Sequence, residues 1–436
     1  MPRRHFHGDI PADSLVEYVT GELWHGETRV NEWLNWHLDA RTGPKRILAL
    51  DGGGVRGLIT LGMLEHIEKL LASRNADPGS FRLAHYFDLI GGTSTGSIIA
   101  TALALGMTVS EVKTLYEELS PIAFKPRARG IFRSVFDARH VEKKLLAVLG
   151  EEQLQSDKLL TGLMICAKRI DTGSPWVLTN HPKSKYWESP DKRYMPNKEY
   201  LLRMLVRAST AAPLYYDPVE VTITPAGGVY EEQKGLFIDG AVGGHNNPGP
   251  QALHVVTLPA YGFGWNRGAD NLLMISLGTG AWRPQHDVAE FQSKYNWQKA
   301  TDALAAMIQD SVVQGITVMQ ALSNPRKPWT INSEIGDMRG EMIVDQPVLR
   351  YQRYDARLDA ESVARVCSLK DAASSNVKAV LEQLRQIGNV EKPNLQRLYA
   401  LGHDAGHVTR PGADGVEALD FPAQFDPPFM KQTAAG

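Results

Sequence analysis

The sequence predicts an α/β fold, a three-layer α/β/α arrangement around a mostly parallel sheet, and two stretches carry that prediction. Residues 46–50 form a short apolar run that enters a glycine-rich turn at 51–57, after which Leu64, Ile67, Leu70 and Leu71 recur at helical spacing. Residues 86–90 form a second apolar run, which enters a turn at 91–96 and then a small-residue helix over 97–105. Strand, turn and helix occurring twice in quick succession is the pattern of parallel βαβ units.

The remaining elements follow in order. Residues 1–44 are an N-terminal helical extension. Leu23, Trp24, Trp33, Leu34, Trp36 and Leu38 sit among charged residues there, as in one or two short amphipathic helices docked on the main body, with a membrane-surface anchor as the lesser alternative. Residues 45–285 form the main α/β domain, with further strands expected over 162–169 and 176–179 on either side of a turn at 171–175, and over 235–239 and 271–277. Residues 286–436 read as a mainly helical region, packed on the main domain or regulating it, with helices over 287–322, 371–387 and 392–403. From Phe421 onward the chain reads as an extended or mobile tail.

Composition narrows the function. The 436 residues are 43% hydrophobic and carry a formal net charge of −2, enough apolar material for a sizeable core and no basic excess for a nucleic-acid polymer. Cys166 and Cys367 fit no metal or redox spacing, and so few thiols point to a reducing compartment. The first residues lack the apolar segment of a secretory signal, and no stretch reads as a transmembrane helix. The expectation is a soluble cytoplasmic protein, in peripheral contact with the inner face of the membrane at most.

Gly92-Thr93-Ser94-Thr95-Gly96 fits G-x-S-x-G on a strand-to-helix turn, where the flanking glycines let a serine be forced into a tight, exposed conformation. At the start of a helix, Ser94 would meet free N–H groups and the positive end of the helix dipole, which favour a developing alkoxide. Asp51-Gly52-Gly53-Gly54-Val55-Arg56-Gly57 lies on a similar turn, and its glycines can present backbone N–H groups to an anion. That anion is either the oxyanion of an acyl transfer or a dinucleotide pyrophosphate, since Gly52, Gly54 and Gly57 match G-x-G-x-x-G. The dinucleotide reading wants an acidic residue closing the next strand. Asp77 has the distance but falls in a turn, so the oxyanion reading is favoured.

The serine needs a base. Among 13 histidines, His403 and His407 come late enough for a Ser–Asp–His order, but their context reads as a polar loop or a fraying helix end. Asp239 is the better candidate, closing an apolar strand before Gly240-Ala241. Burial would raise its pKa, and direct contact with Ser94 would remove the need for an imidazole.

Together, the 51–57 motif, Gly92–Gly96 and Asp239-Gly240-Ala241 resemble, in order and separation, the patatin-like phospholipases. Arg207-Ala208-Ser209-Thr210-Ala211-Ala212-Pro213, Asn246-Asn247-Pro248 and Ser276-Leu277-Gly278-Thr279-Gly280 add lesser echoes, and the resemblance spans about residues 46–280. It implies a patatin-like catalytic domain with a Ser–Asp dyad: Ser94 the nucleophile, Asp239 the base, Gly52, Gly53 and Gly54 the oxyanion hole, and Arg56 the basic motif position. The third motif reads Asp-Gly-Ala where Asp-Gly-Gly is the other form. The implied activity is hydrolysis of fatty acyl esters of phospholipids or glycolipids through an acyl-enzyme, with no cofactor and no metal. Activation by a nucleotide signal is a further implication for bacterial members. The rival readings are a serine esterase with a histidine base, and a binding protein whose glycine loop holds a nucleotide.

Lys125, Arg127, Arg129 and Arg133 interleave with Phe124, Ile131, Phe132, Val135 and Phe136, a local basic–aromatic patch in an otherwise neutral chain. Resting on an anionic bilayer is one expectation for Lys125, Arg127, Arg129, Phe132, Arg133 and Phe136; aromatics packed on the domain beneath a solvated loop is the other, and the two stand level.

Overall fold

The structure is a computed structural model describing residues 27–124, 136–282, 288–407 and 415–430. Its strands are β1 (Lys45–Leu50), β2 (Leu89–Thr93), β3 (Gly162–Arg169), β4 (Pro175–Thr179), β5 (Val219–Thr224), β6 (Gln233–Asp239), β7 (Leu272–Leu277) and β8 (Arg350–Tyr354). They form one sheet in the order β5-β6-β3-β2-β1-β7-β8, with β4 also paired to β3. The run from β3 to β8 is parallel, whereas β4, β5 and β6 pair antiparallel.

Every residue of β1, β2 and β7 is buried, as strands covered on both faces must be. Alternation divides them between two cores. Leu48, Leu50, Ile90 and Ile275 face one layer of helices, while Ile47, Ala49, Leu89 and Met274 face the other. The helices that bear on the site are α1 (Glu27–Leu38), α2 (Gly57–Ala72), α3 (Thr95–Ala104), α4 (Val109–Ala123), α5 (Ala138–Leu149), α6 (Leu202–Ser209), α7 (Gly249–Thr257), α8 (Asn296–Ala321) and α9 (Lys392–Gly406). This is the three-layer α/β/α fold.

Several expectations need correction. Besides its helices, the region after 285 holds a strand that was not expected, since β8 comes from it and extends the sheet beside β7. The strand was hidden because Arg350-Tyr351-Gln352-Arg353-Tyr354 has no apolar run, and burying Gln352 and Arg353 is tolerable only with partners elsewhere in the chain. The strand β6 runs antiparallel to β3, so it reaches the site from the opposite direction to β1 and β2.

The 421–430 stretch is no loose tail. Phe421 and Phe425 are fully buried, the Phe425 carbonyl accepts from Arg46 at 2.9 Å, and Phe429 lies 4.2 Å from Trp33. The helix α1 docks by burying Trp36, His37 and Leu38. Phe136 is only 7% exposed, stacked on Tyr215 at 5.6 Å and edge-on to Phe124, which removes it from any membrane contact. Lys125, Arg127, Arg129, Phe132 and Arg133 lie outside the described residues. No helix among the described residues is long and apolar enough to cross a membrane.

Candidate active site

Ser94 stands between β2 and α3 with φ 52° and ψ −125°, a backbone state that L-residues adopt only under constraint. The constraint is steric. A Cβ on Gly92 would strike the Gly96 carbonyl, and one on Gly96 would strike the Leu50 carbonyl, so the turn closes only with glycine at both places. The Ser94 carbonyl accepts from Ser97 N–H at 2.8 Å and from the Ser97 hydroxyl at 2.6 Å, which starts the helix and leaves the Ser94 side chain at its mouth.

Asp239 closes β6 opposite Ala167, and Thr93 pairs with Cys166, so the two strands deliver Asp239 and Ser94 to the same level across β3. The Ser94 side chain is an electrostatic neighbour of the Asp239 carboxylate, whose Oδ1 accepts from Ala241 N–H at 2.9 Å. Burial pushes the Asp239 carboxyl up to about 6, against the opposing pull of the Ser94 side chain and the Ala241 N–H. Neither His403 nor His407 takes part. His407 stacks on His403 and on His66, both at 4.1 Å, on the outer pair α2 and α9, and among the described residues no histidine hydrogen-bonds Ser94 or Asp239.

The glycine loop differs in detail from the expectation. Gly52 N–H already donates to the Asn246 carbonyl at 3.0 Å, and Val55 N–H donates to the Ile387 carbonyl at 2.9 Å. Among the described residues, Gly53 and Gly54 N–H have no protein acceptor, so they are the donors left for an anion. Gly54 has φ 59°, and its carbonyl turns back to accept from Thr95 Oγ1 at 2.9 Å and from the Tyr116 hydroxyl. The Gly52 carbonyl accepts from Thr279 Oγ1 at 2.8 Å. The loop is therefore clamped on both sides, and a Cβ at Gly52 would stand 3.0 Å from the Ser94 Cβ. It faces the serine rather than an open phosphate cradle.

Beneath the loop, Arg353 of β8 binds both oxygens of buried Asp51 at 2.9 and 2.7 Å, and Asp355 at 2.9 Å, while Asp355 accepts from Gly280 N–H at 2.7 Å. Burial pushes Asp51 up to about 6 although Arg353 pulls it down. Arg56 lies over Trp282 at 4.3 Å and donates to the Gly53 carbonyl at 3.4 Å, and burial brings its guanidinium down to about 10. The sequence reading missed Arg353, Asp355, Thr279 and Ile387 as supports of the loop. Only the Gly278–Gly280 motif beside Thr279 offered a signal for any of them.

No group of three or more His, Cys, Asp or Glu residues among the described residues is arranged to hold a metal ion. A buried carboxylate beside a serine, next to two free backbone N–H groups, is suited to acyl transfer.

Residues 48–253 match the family model described as Patatin-like phospholipase. Patatin-17 of Solanum cardiophyllum is 30% identical over 64% of this chain and 73% of its own length. Patatin of Solanum tuberosum is 31% identical over 58% of this chain and 64% of its own length. Among solved structures, human GIVD cytosolic phospholipase A2 aligns at 10% identity with a TM-score of 0.39 over 90% of this chain and 62% of that one, too loosely to bear on the site. With nearly three quarters of a patatin matched at 30% identity, this chain belongs to the patatin-like phospholipase family.

Proposed function

We propose that the chain is a lipid acyl hydrolase of the phospholipase A type, cleaving fatty acyl esters of membrane phospholipids or glycolipids with a Ser94–Asp239 dyad. The observation that carries this reading is the register that delivers Ser94 and Asp239 to the same level across β3, with the Asp239 carboxyl raised by burial to about 6 beside the Ser94 side chain. Such a carboxylate is mostly ionised at neutral pH, yet a far better base than one near 4.

In the first half-reaction, Asp239 takes the Ser94 hydroxyl proton as Oγ bonds to the ester carbonyl carbon. The carbonyl electrons move onto oxygen, where Gly53 and Gly54 N–H groups and the N-terminal end of α2 stabilise the charge. The carbonyl reforms, the ester C–O bond breaks, and the departing lyso-lipid alkoxide takes the proton from Asp239. Asp239 then deprotonates a water that attacks the acyl-enzyme, and the proton passes to Ser94 as the fatty acid leaves.

The test is fatty-acid release from mixed phospholipid vesicles by wild type, Ser94→Ala and Asp239→Asn, with fluorophosphonate labelling of Ser94 as the second readout. Loss of release in both variants, with folding intact, is the expected result. Release surviving Asp239→Asn would move the base elsewhere. A wild type that neither hydrolyses nor takes the label would overturn the proposal in favour of a binding role.

A further inference from the structure

We propose that Ser209 is a positioning residue for the reaction, its hydroxyl holding the backbone of the nucleophile while the carbonyl two residues further on, that of Ala211, holds the backbone of the base. The inference rests on the Ser94–Asp239 reading above and adds to it a part that neither motif contains.

Ser209 is the last residue of α6 and is completely buried. Its Oγ accepts the Ser94 N–H at 2.9 Å and donates to the Cys166 carbonyl at 2.6 Å. The location explains the need. The β2–β3 ladder ends with Thr93 opposite Cys166, and Ser94, the next residue, turns out of the sheet with φ 52°. A Ser94 N–H and a Cys166 carbonyl that can no longer pair directly would each be stranded in a dry interior. One hydroxyl, donor and acceptor at once, joins them across the gap that the elbow opens.

The same segment reaches the base. Asp239 N–H donates to the Ala211 carbonyl at 3.0 Å, at the point where Asp239 pairs with Ala167, the neighbour of Cys166. Residues 209–211 are thus a gauge between two chain segments remote in sequence. Moving the gauge moves the Ser94 Oγ relative to the carboxylate, and small misplacements of reacting groups are costly in rate.

The experiment compares wild type, Ser209→Ala and Ser209→Thr by steady-state kinetics on a soluble monomeric ester and by the second-order rate of fluorophosphonate inactivation. Rates are normalised to folded protein. The alanine variant is expected to lose on the order of 10- to 100-fold in kcat and in labelling rate. Its KM is expected to stay where it was, while the acid limb of its pH profile moves upward, because the Ser94 side chain is one of the two groups that pull the Asp239 carboxyl down. Ser209→Thr, which restores the hydroxyl, is expected to recover most of the loss. If the alanine variant does not fold, Ser209→Cys, similar in size and poorer in hydrogen bonding, is expected to fall between wild type and that loss. An alanine variant with a lower Tm but wild-type kcat and labelling rate would overturn the proposal and leave Ser209 structural. A wild type that takes no label would overturn it together with the nucleophile.

Discussion

Two buried aspartates at opposite ends of the sheet have been given opposite characters. Asp88 precedes β2 and is completely buried; Asp239 closes β6 and is 2% exposed. Burial by itself raises both. At Asp88 that rise is overwhelmed: Arg46 binds it through Nε and Nη2 at 2.7 and 2.6 Å and through its backbone N–H at 2.7 Å, and the His37 ring donates at 2.8 Å. Lys45 stands 3.7 Å away, and these cations and hydrogen bonds hold the carboxyl far below the ordinary range. At Asp239, among the described residues, no cation contributes, only the Ser94 side chain and the Ala241 N–H, and the carboxyl stays up at about 6. Equal burial with unequal company separates a structural strut from the proposed base. Asp51 lies between them, at the end of β1 that enters the glycine loop, and is paired with Arg353.

The sharpest way to break this comparison is to neutralise each member in turn. Asp239→Asn is expected to lower kcat by on the order of 10⁴-fold, as removal of one member of a catalytic unit does elsewhere. Its stability should move the other way. Because the folded pKa of about 6 lies above the unfolded value, ionised Asp239 weakens the fold: stability is full below the unfolded pKa and falls as pH rises through about 6. The asparagine variant should therefore match wild type near pH 3 and exceed it at pH 8, by at most about 3 kcal/mol in denaturant melts. A variant less stable than wild type at pH 8 would remove Asp239 from the class of residues held at a cost to the fold.

Asp88→Asn is expected to do the reverse. Arg46 and Lys45 would remain buried without their counter-charge, a loss of about 3–5 kcal/mol at neutral pH. Since the folded pKa of Asp88 is depressed, that loss should hold above the unfolded pKa of about 4 and shrink progressively as pH falls below it toward the folded value. The kcat of the folded fraction should be unchanged. A large fall in kcat would mean that the far end of the sheet is coupled to the site.

Arg353→Met tests the intermediate case. Without its cation Asp51 would rise further, so the destabilisation should be greater at pH 8 than at pH 5, and kcat should fall about 10-fold as the glycine loop loosens. Equal destabilisation at both pH values would show that the Asp51 charge is not what Arg353 compensates. The smallest effect is on the wild-type profile itself: kcat/KM on a soluble ester should rise with pH through about 6 and then level, rather than level from about 4 as an ordinary carboxylate would dictate.

The site's own residues were legible because they lie in short local patterns. A strand, a tight turn and a helix follow one another within a few residues, and Gly92 and Gly96 are required by clashes inside that same unit. What surrounds them was not legible. Gly52 looks as free as Gly53 in the sequence, and only the Asn246 carbonyl shows that its N–H is engaged. Phe136 sits in a basic–aromatic run that reads as surface, yet Tyr215 and Phe124 bury it. The 421–430 stretch, broken by prolines, shows no extended helical or strand period, because its own backbone bonds close only single turns at Ala423–Phe425 and Pro428–Met430 and contacts with Arg46 and Trp33 supply the rest.

The sequence by itself determined the α/β class and the two strand–turn–helix units, and it singled out the candidate serine, aspartate and glycine loop. Each of these depends on contacts between near neighbours in the chain. The tertiary structure alone decided that a polar strand from the C-terminal region joins the sheet, that Arg353 clamps Asp51, that Ser209 spans the elbow, and that Asp239 has no cation beside it among the described residues. These depend on which distant groups share a dry interior, where a carboxylate's charge is set by its partners and each stranded N–H or carbonyl must find one.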